Sequence, residues 1–92
     1  MSVGAVFAIQ GVTQAQYDQV FKQVSPNNQM PAGMQFHAAG PTENGWCVVE
    51  IWESQEAARG FFETTLQQAL QQAGIPTDPP TVSFQVYNMR QA

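Results

Sequence analysis

Two hydrophobic periods alternate along this chain. Residues 4–10, Gly-Ala-Val-Phe-Ala-Ile-Gln, form a short apolar run that predicts a first strand. Tyr17, Val20, Phe21 and Val24 then fall at i, i+3, i+4 and i+7, one stripe of a helix. Thr13-Gln14-Ala15-Gln16 fits a capping box at its start, and Val12 with Tyr17 fits the hydrophobic staple around that cap. Ser25-Pro26 closes the helix, because a residue before proline is pushed out of the α region. Residues 26–33 are loop by composition. Residues 34–39, Met-Gln-Phe-His-Ala-Ala, predict a second strand, and residues 46–53, Trp-Cys-Val-Val-Glu-Ile-Trp-Glu, a third. The turn cluster from Gly40 to Gly45 between them predicts an antiparallel hairpin. Ser54 caps a second helix, with Glu56 at its positive end. Its stripe runs through Ala58, Phe61, Phe62, Thr65, Leu66, Ala69, Leu70 and Ala73, and Gly74 ends it in the left-handed position. Pro79-Pro80 leads into a last strand, roughly Thr81 to Tyr87. The order is β-α-β-β-α-β, an α+β domain spanning residues 1–92, with no internal repeat and no linker.

Strand parity separates two faces of the sheet. Pairing the hairpin with Met34 opposite Ile51, Phe36 opposite Val49 and Ala38 opposite Cys47 makes one face apolar. Phe7 and Ile9, with Val82, Phe84 and Val86, extend that face, and the helices are expected to cover it. The other face then carries Gln35 opposite Glu50 and His37 opposite Val48, with Trp46 and Trp52 in the same row. Ser83, Gln85 and Tyr87, with Val6 and Ala8, complete it. A mixed aromatic and polar surface of this kind suits a protein interface. Gln35, His37, Glu50, Trp52 and Gln85 are therefore the expected contacts of a homodimer.

Composition points the same way. A chain of 92 residues buries only roughly 60–65% of its unfolded surface, so a small domain usually needs a disulfide, a metal or a partner. One cysteine and one histidine exclude an internal disulfide and a Cys/His metal cluster, leaving the partner. Charged residues make up 11% of the chain against about 25% in an ordinary domain, and glutamine takes their place on the surface. With a net charge of −4 and only Lys22, Arg59 and Arg90 positive, neither nucleic acid nor an anionic membrane surface is an expected partner. No apolar run approaches the ~18 residues that span a bilayer. The start Met-Ser-Val-Gly lacks a signal peptide's features, so the cytoplasm is the expected compartment, and the free cysteine fits it.

Few residues are suited to chemistry. His37 is the one side chain whose ordinary titration lies near neutral pH, which makes it the acid–base candidate. Glu50, in the middle of an apolar strand, must be paired if buried. It is either an interface pair of His37, Gln35 or Gln85, or a catalytic general base, and it stands where it could orient His37. Trp46 and Trp52 either stack on a flat ligand or anchor a core or dimer. Tyr87 and Asn88 could hydrogen-bond a carbonyl-bearing ligand or simply end an edge strand. Cys47 falls on the expected helix side as an inert small apolar residue. Gly60, inside the second helix, costs about 1 kcal/mol relative to alanine and suggests a close approach or room for a ligand. Gly-rich phosphate loops, nucleophile elbows and metal-spaced carboxylates are absent, and no cofactor is expected.

The strand and helix order is the ferredoxin-like arrangement. Phe36-His37-Ala38-Ala39-Gly40-Pro41-Thr42, then Gly45-Trp46, then Val49-Glu50-Ile51-Trp52-Glu53-Ser54, and finally Val86-Tyr87-Asn88, resemble small stand-alone members of the dimeric α+β barrel superfamily. That group includes antibiotic-biosynthesis monooxygenase-like proteins. The resemblance covers nearly the whole chain. It implies a barrel closed across a dimer by two sheets packed face to face, and a ligand cleft between sheet and helices. No haem-ligand or oxygenase motif of the group is matched residue by residue. Three functions stay open: a dimeric barrel that binds a small molecule, a cofactor-independent monooxygenase-like or cyclase-like enzyme acting on a small aromatic or polyketide-like substrate, and a purely structural dimerisation module.

Overall fold

The capping box at Thr13 forms as its sequence requires. Thr13 Oγ1 accepts from the Gln16 backbone N–H at 3.2 Å, and Gln16 Oε1 accepts from the Thr13 backbone N–H at 3.0 Å. In the computed structural model, which describes residues 1–92, this cap opens α1 (Gln14–Val24). The strands are β1 (Val3–Gln10), β2 (Met34–Pro41), β3 (Gly45–Trp52) and β4 (Val82–Gln85). The last strand is shorter than expected, and Val86 and Tyr87 lie beyond it.

The second helical rod is in three parts: α2 (Gln55–Phe61), a π-helical turn (Phe62–Leu66) and α3 (Gln67–Gln72). Ser54 Oγ caps it by accepting from the Ala57 N–H at 3.0 Å. Gly74, at φ +73°, ends it. The Ile75 N–H reaches the Leu70 carbonyl and the Gly74 N–H reaches the Gln71 carbonyl, the bond pair of a Schellman motif. The π turn re-phases the helical stripe: Thr65 turns to solvent, whereas Leu66, Ala69, Leu70 and Ala73 stay against the core. Open space surrounds Gly60, so it marks no close approach. The nearby Thr64 hydroxyl instead donates to the Gly60 carbonyl at 2.6 Å. Gln16, besides completing its own cap, donates through Nε2 to the Ala73 carbonyl at 3.1 Å and ties the two helical rods together.

The sheet order is β2-β3-β1-β4 with every pair antiparallel, the split arrangement of a ferredoxin-like α+β fold. Both helical rods lie on one face. Val12, Val20, Trp46, Ala69 and Ile75 form the buried cluster between the layers, with Ile9, Tyr17 and Val48 packed against it.

The structure corrects the expected faces. Phe36 pairs with Ile51 and His37 with Glu50, two residues along from the expected partners. An irregularity between Met34 and Phe36 moves Met34, which pairs with Trp52, out of the Phe36 row. On β1, Phe7 and Ile9 pair with Val48 and Trp46, so they share the face of His37 and Glu50. The helices cover that face. Trp46 and Trp52 are therefore buried core, and the predicted dimer contacts His37, Glu50 and Trp52 lie beneath helices instead of on the open surface. Gln85 pairs with Val3 in the same row, and Gln35 sits at the irregularity, where it accepts from the Ser2 hydroxyl at 2.8 Å. The open face carries Val6 and Ala8 together with Phe36, Ala38, Cys47, Val49, Ile51, Val82 and Phe84, all seven of which the sequence pattern places on the helix side. The cause is that both faces are rich in apolar residues. A polar row that would ordinarily mark the outside is here a buried polar cluster.

Two hairpin glycines give a test of this packing. A Cβ on Gly45 would fall on the Ile9 carbonyl and against the Gln10 and Gly11 backbone, whereas a Cβ on Gly40 meets nothing. Gly45→Ala is expected to lower the unfolding free energy by about 2 kcal/mol or more and Gly40→Ala to change it by less than about 0.5 kcal/mol, read from chemical denaturation midpoints.

Candidate functional site

His37 and Glu50 stand directly opposite on adjacent strands, so their side chains rise from the same face, and α1 lowers Tyr17 onto them. Tyr17 Oη and His37 Nε2 are 2.7 Å apart. On the other side of the ring, Nδ1 faces Glu50 Oε2 at 3.5 Å, an ion-pair distance without an aligned hydrogen bond. Trp52, two residues further along the same row, donates its indole N–H to Glu50 Oε1 at 3.1 Å. The result is a continuous line of polar atoms, Tyr17–His37–Glu50–Trp52, inside an apolar layer. Glu50 is only 7% exposed and Trp52 2%.

A buried carboxylate needs donors, and Trp52 supplies one. With its proton on Nδ1, on the Glu50 side, His37 accepts from the Tyr17 hydroxyl at Nε2; with the proton on Nε2 the direction of that contact reverses. Burial, then the Glu50 carboxylate, then Asp18 push the Tyr17 phenol above its ordinary 10.0. Tyr17 is therefore a proton donor that resists becoming phenolate. Aromatic rings hold the line in place. Trp46 stacks on Tyr17 at a centroid distance of 5.2 Å, Phe21 lies 6.2 Å from His37, and Phe61 tilts against Trp52 at 5.3 Å. The Trp46 indole N–H is buried without an acceptor.

Tyr17, His37 and Glu50 line a hollow of about 140 Å³ between sheet and helices, walled by Phe7, Met34 and Phe61 among others. A dry apolar cavity of about 150 Å³ holds one benzene ring, so this hollow is ring-sized. Of the candidates named from sequence, His37, Glu50 and Trp46 meet here, and Trp52 closes the line behind Glu50. Tyr87 and Asn88 lie exposed beyond β4 and take no part. Tyr17 is the participant that the sequence pattern concealed, since its position fits the core stripe of α1. Its one distinguishing sign is a hydroxyl on a stripe otherwise made of Val and Phe. No three His, Cys, Asp or Glu side chains come together as a metal site, and no helix is long and apolar enough to cross a membrane.

The raised Tyr17 pKa has a consequence for stability. The folded state holds the phenol proton more tightly than the unfolded chain does. The associated stability is complete below about 10 and is lost as pH rises from there through the folded value. Tyr17→Phe should flatten that alkaline decline in urea midpoint against pH. The tyrosinate absorbance that this substitution removes should have its midpoint above 10.

No family model and no curated protein sequence matches the chain. Among solved structures, the crystal structure of a "putative Antibiotic biosynthesis monooxygenase" from Chloroflexus aurantiacus J-10-fl is similar to it. The match has a TM-score of 0.63 at 11% sequence identity and covers 100% of this chain and 97% of that one. The likeness runs from end to end, and the chain has the ferredoxin-like α+β fold of that antibiotic biosynthesis monooxygenase-like protein.

Proposed function

We propose that this chain is a dimeric α+β barrel protein that binds a small aromatic or polyketide-like molecule between its sheet and helices and handles a proton on it. The observation that carries the reading is the 2.7 Å contact between Tyr17 Oη and His37 Nε2, with Glu50 behind the ring, on the wall of a ring-sized hollow. A bound hydroxyl or activated C–H passes its proton to Tyr17 Oη while Tyr17 passes its own to His37 Nε2. The ligand becomes an anion, His37 an imidazolium beside Glu50, and Tyr17 stays neutral throughout, as its raised pKa favours. Positioned general acid–base groups of this kind contribute about 10²–10⁴-fold to a rate.

The homodimer rests on the open face. Only nine of 92 residues are buried in the single chain, too few for an independent core. Its accessible surface is 6238 Å², against about 5,300 Å² expected for a compact monomer of this mass. The excess is close to the roughly 800 Å² that each partner buries in a standard interface. Phe36, Val82 and Phe84 are 38%, 52% and 46% exposed on that face, and a second copy would cover them.

4-Nitrophenol tests the relay, because its yellow phenolate band reports proton loss. At a pH where the free probe is mostly protonated, the protein is expected to generate that band saturably. His37→Gln should abolish it. A band of equal strength with His37→Gln, or none with the unaltered protein, would sink the relay. Val49→Lys, at the centre of the open face, should convert a dimer of twice 10.1 kDa to a monomer in sedimentation equilibrium. A monomeric unaltered protein would refute the dimer.

A further inference from the structure

A second and larger hollow lies beside the first, and nothing in the relay uses most of it. It occupies about 630 Å³ between α2 and the β1–β4 edge, within the range of small-ligand sites. The two hollows share the side chains of Phe7, Glu50, Phe61 and Leu66, which form the partition between them. Beyond the partition the walls are mainly apolar, supplied by Trp52, Ala58, Phe62 and Pro80.

The charges on this wall are unequal in kind. Glu50, at the partition, is buried and already engaged by Trp52 and His37. Arg59, on the exposed side of α2, lines the same hollow and makes no ion pair. It is one of only three cations in a chain of net charge −4, and the other two, Lys22 and Arg90, do not line the hollow. An apolar slot with a free guanidinium on its solvent side and a fixed carboxylate at its inner end has a polarity. A ligand's anionic group is attracted to the outer end and repelled from the inner one. Its apolar end is left against Phe61 and Phe7, next to the Tyr17–His37 line.

We infer that the α2–β4 hollow is the binding site of an apolar monocarboxylic acid, with its carboxylate on Arg59 and its apolar end on the Phe7–Phe61 partition. The inference rests on the sheet–helix cleft being a ligand site and adds the class of ligand and its direction. A guanidinium holds a carboxylate by two parallel N–H donors, which an amide in its place cannot satisfy.

2-Naphthoate and its uncharged analogue 2-naphthamide separate the outcomes in calorimetric titrations. The protein is expected to bind naphthoate about fivefold more tightly than naphthamide. Arg59→Gln should erase that preference and Arg59→Lys should keep part of it. Ser83→Trp, which fills the hollow from the exposed edge strand, should abolish binding of both probes. Equal affinity for the two probes, unchanged by Arg59→Gln but lost with Ser83→Trp, would overturn the carboxylate inference and leave the cleft a ligand site. Binding of neither probe, or binding indifferent to Ser83→Trp, would overturn the site itself. The nitrophenol response of His37 judges the relay separately.

Discussion

A carboxylate placed beneath two helices has to find donors or lose its charge, and Glu50 governs how the rest of this molecule is arranged. The pairing of β2 with β3 brings His37 directly opposite it, and the pleat brings the Trp52 indole within reach two residues on. Those two neighbours then impose their own conditions. His37 has a second ring nitrogen that needs a partner, and Tyr17 on α1 supplies it. The depth and rotation of α1 on the sheet are thus tied to a hydrogen bond as well as to the apolar contacts of Val20 and Val24. Burial first, and then the negative charge of Glu50, hold the Tyr17 phenol in its protonated form.

Polar groups at the centre leave less room for apolar packing. The buried cluster is small, and the sheet–helix space contains two adjoining hollows instead of a filled core. A protein of this size gives up stability by leaving such space, which is the usual trade where a site must receive a ligand. The π turn at Phe62–Leu66 lies beside both hollows and resets the helix so that Phe61 and Leu66 both face the partition. The open side of the sheet carries rows of Val, Ile and Phe, and the proposed dimer rests on that face.

The Chloroflexus protein shares this fold over 97% of its length with about one residue in nine in common. Shape at that distance is carried by the order of elements and by apolar patterning, since many side chains satisfy the same periodicity. The Tyr17–His37–Glu50 line depends on particular atoms, and its function has to be argued from those atoms.

Most of the fold is legible in the sequence because it is written in short-range terms. Thr13 with Gln16, Ser25 before Pro26, Ser54, and Gly74 before Ile75 each satisfy or end local backbone hydrogen bonds, and each works where the pattern places it. Trp46, Glu50 and Trp52 were likewise legible as one row of β3, because parity within a strand needs no knowledge of its neighbour, whereas His37 joined that row only through the assumed hairpin pairing. Which way that row faces was not legible. Parity distinguishes two sides of a sheet but cannot say which side the helices cover when both are apolar, and the irregularity between Met34 and Phe36 is invisible before the strands pair. Tyr17 was hidden for a related reason: a phenol fits a hydrophobic stripe as well as phenylalanine does. The sequence by itself determined the elements, their order and the row of candidate residues. Only the tertiary structure, by laying the helices on that row, turned Glu50 and His37 from a presumed interface into a buried line of polar atoms ending on Tyr17.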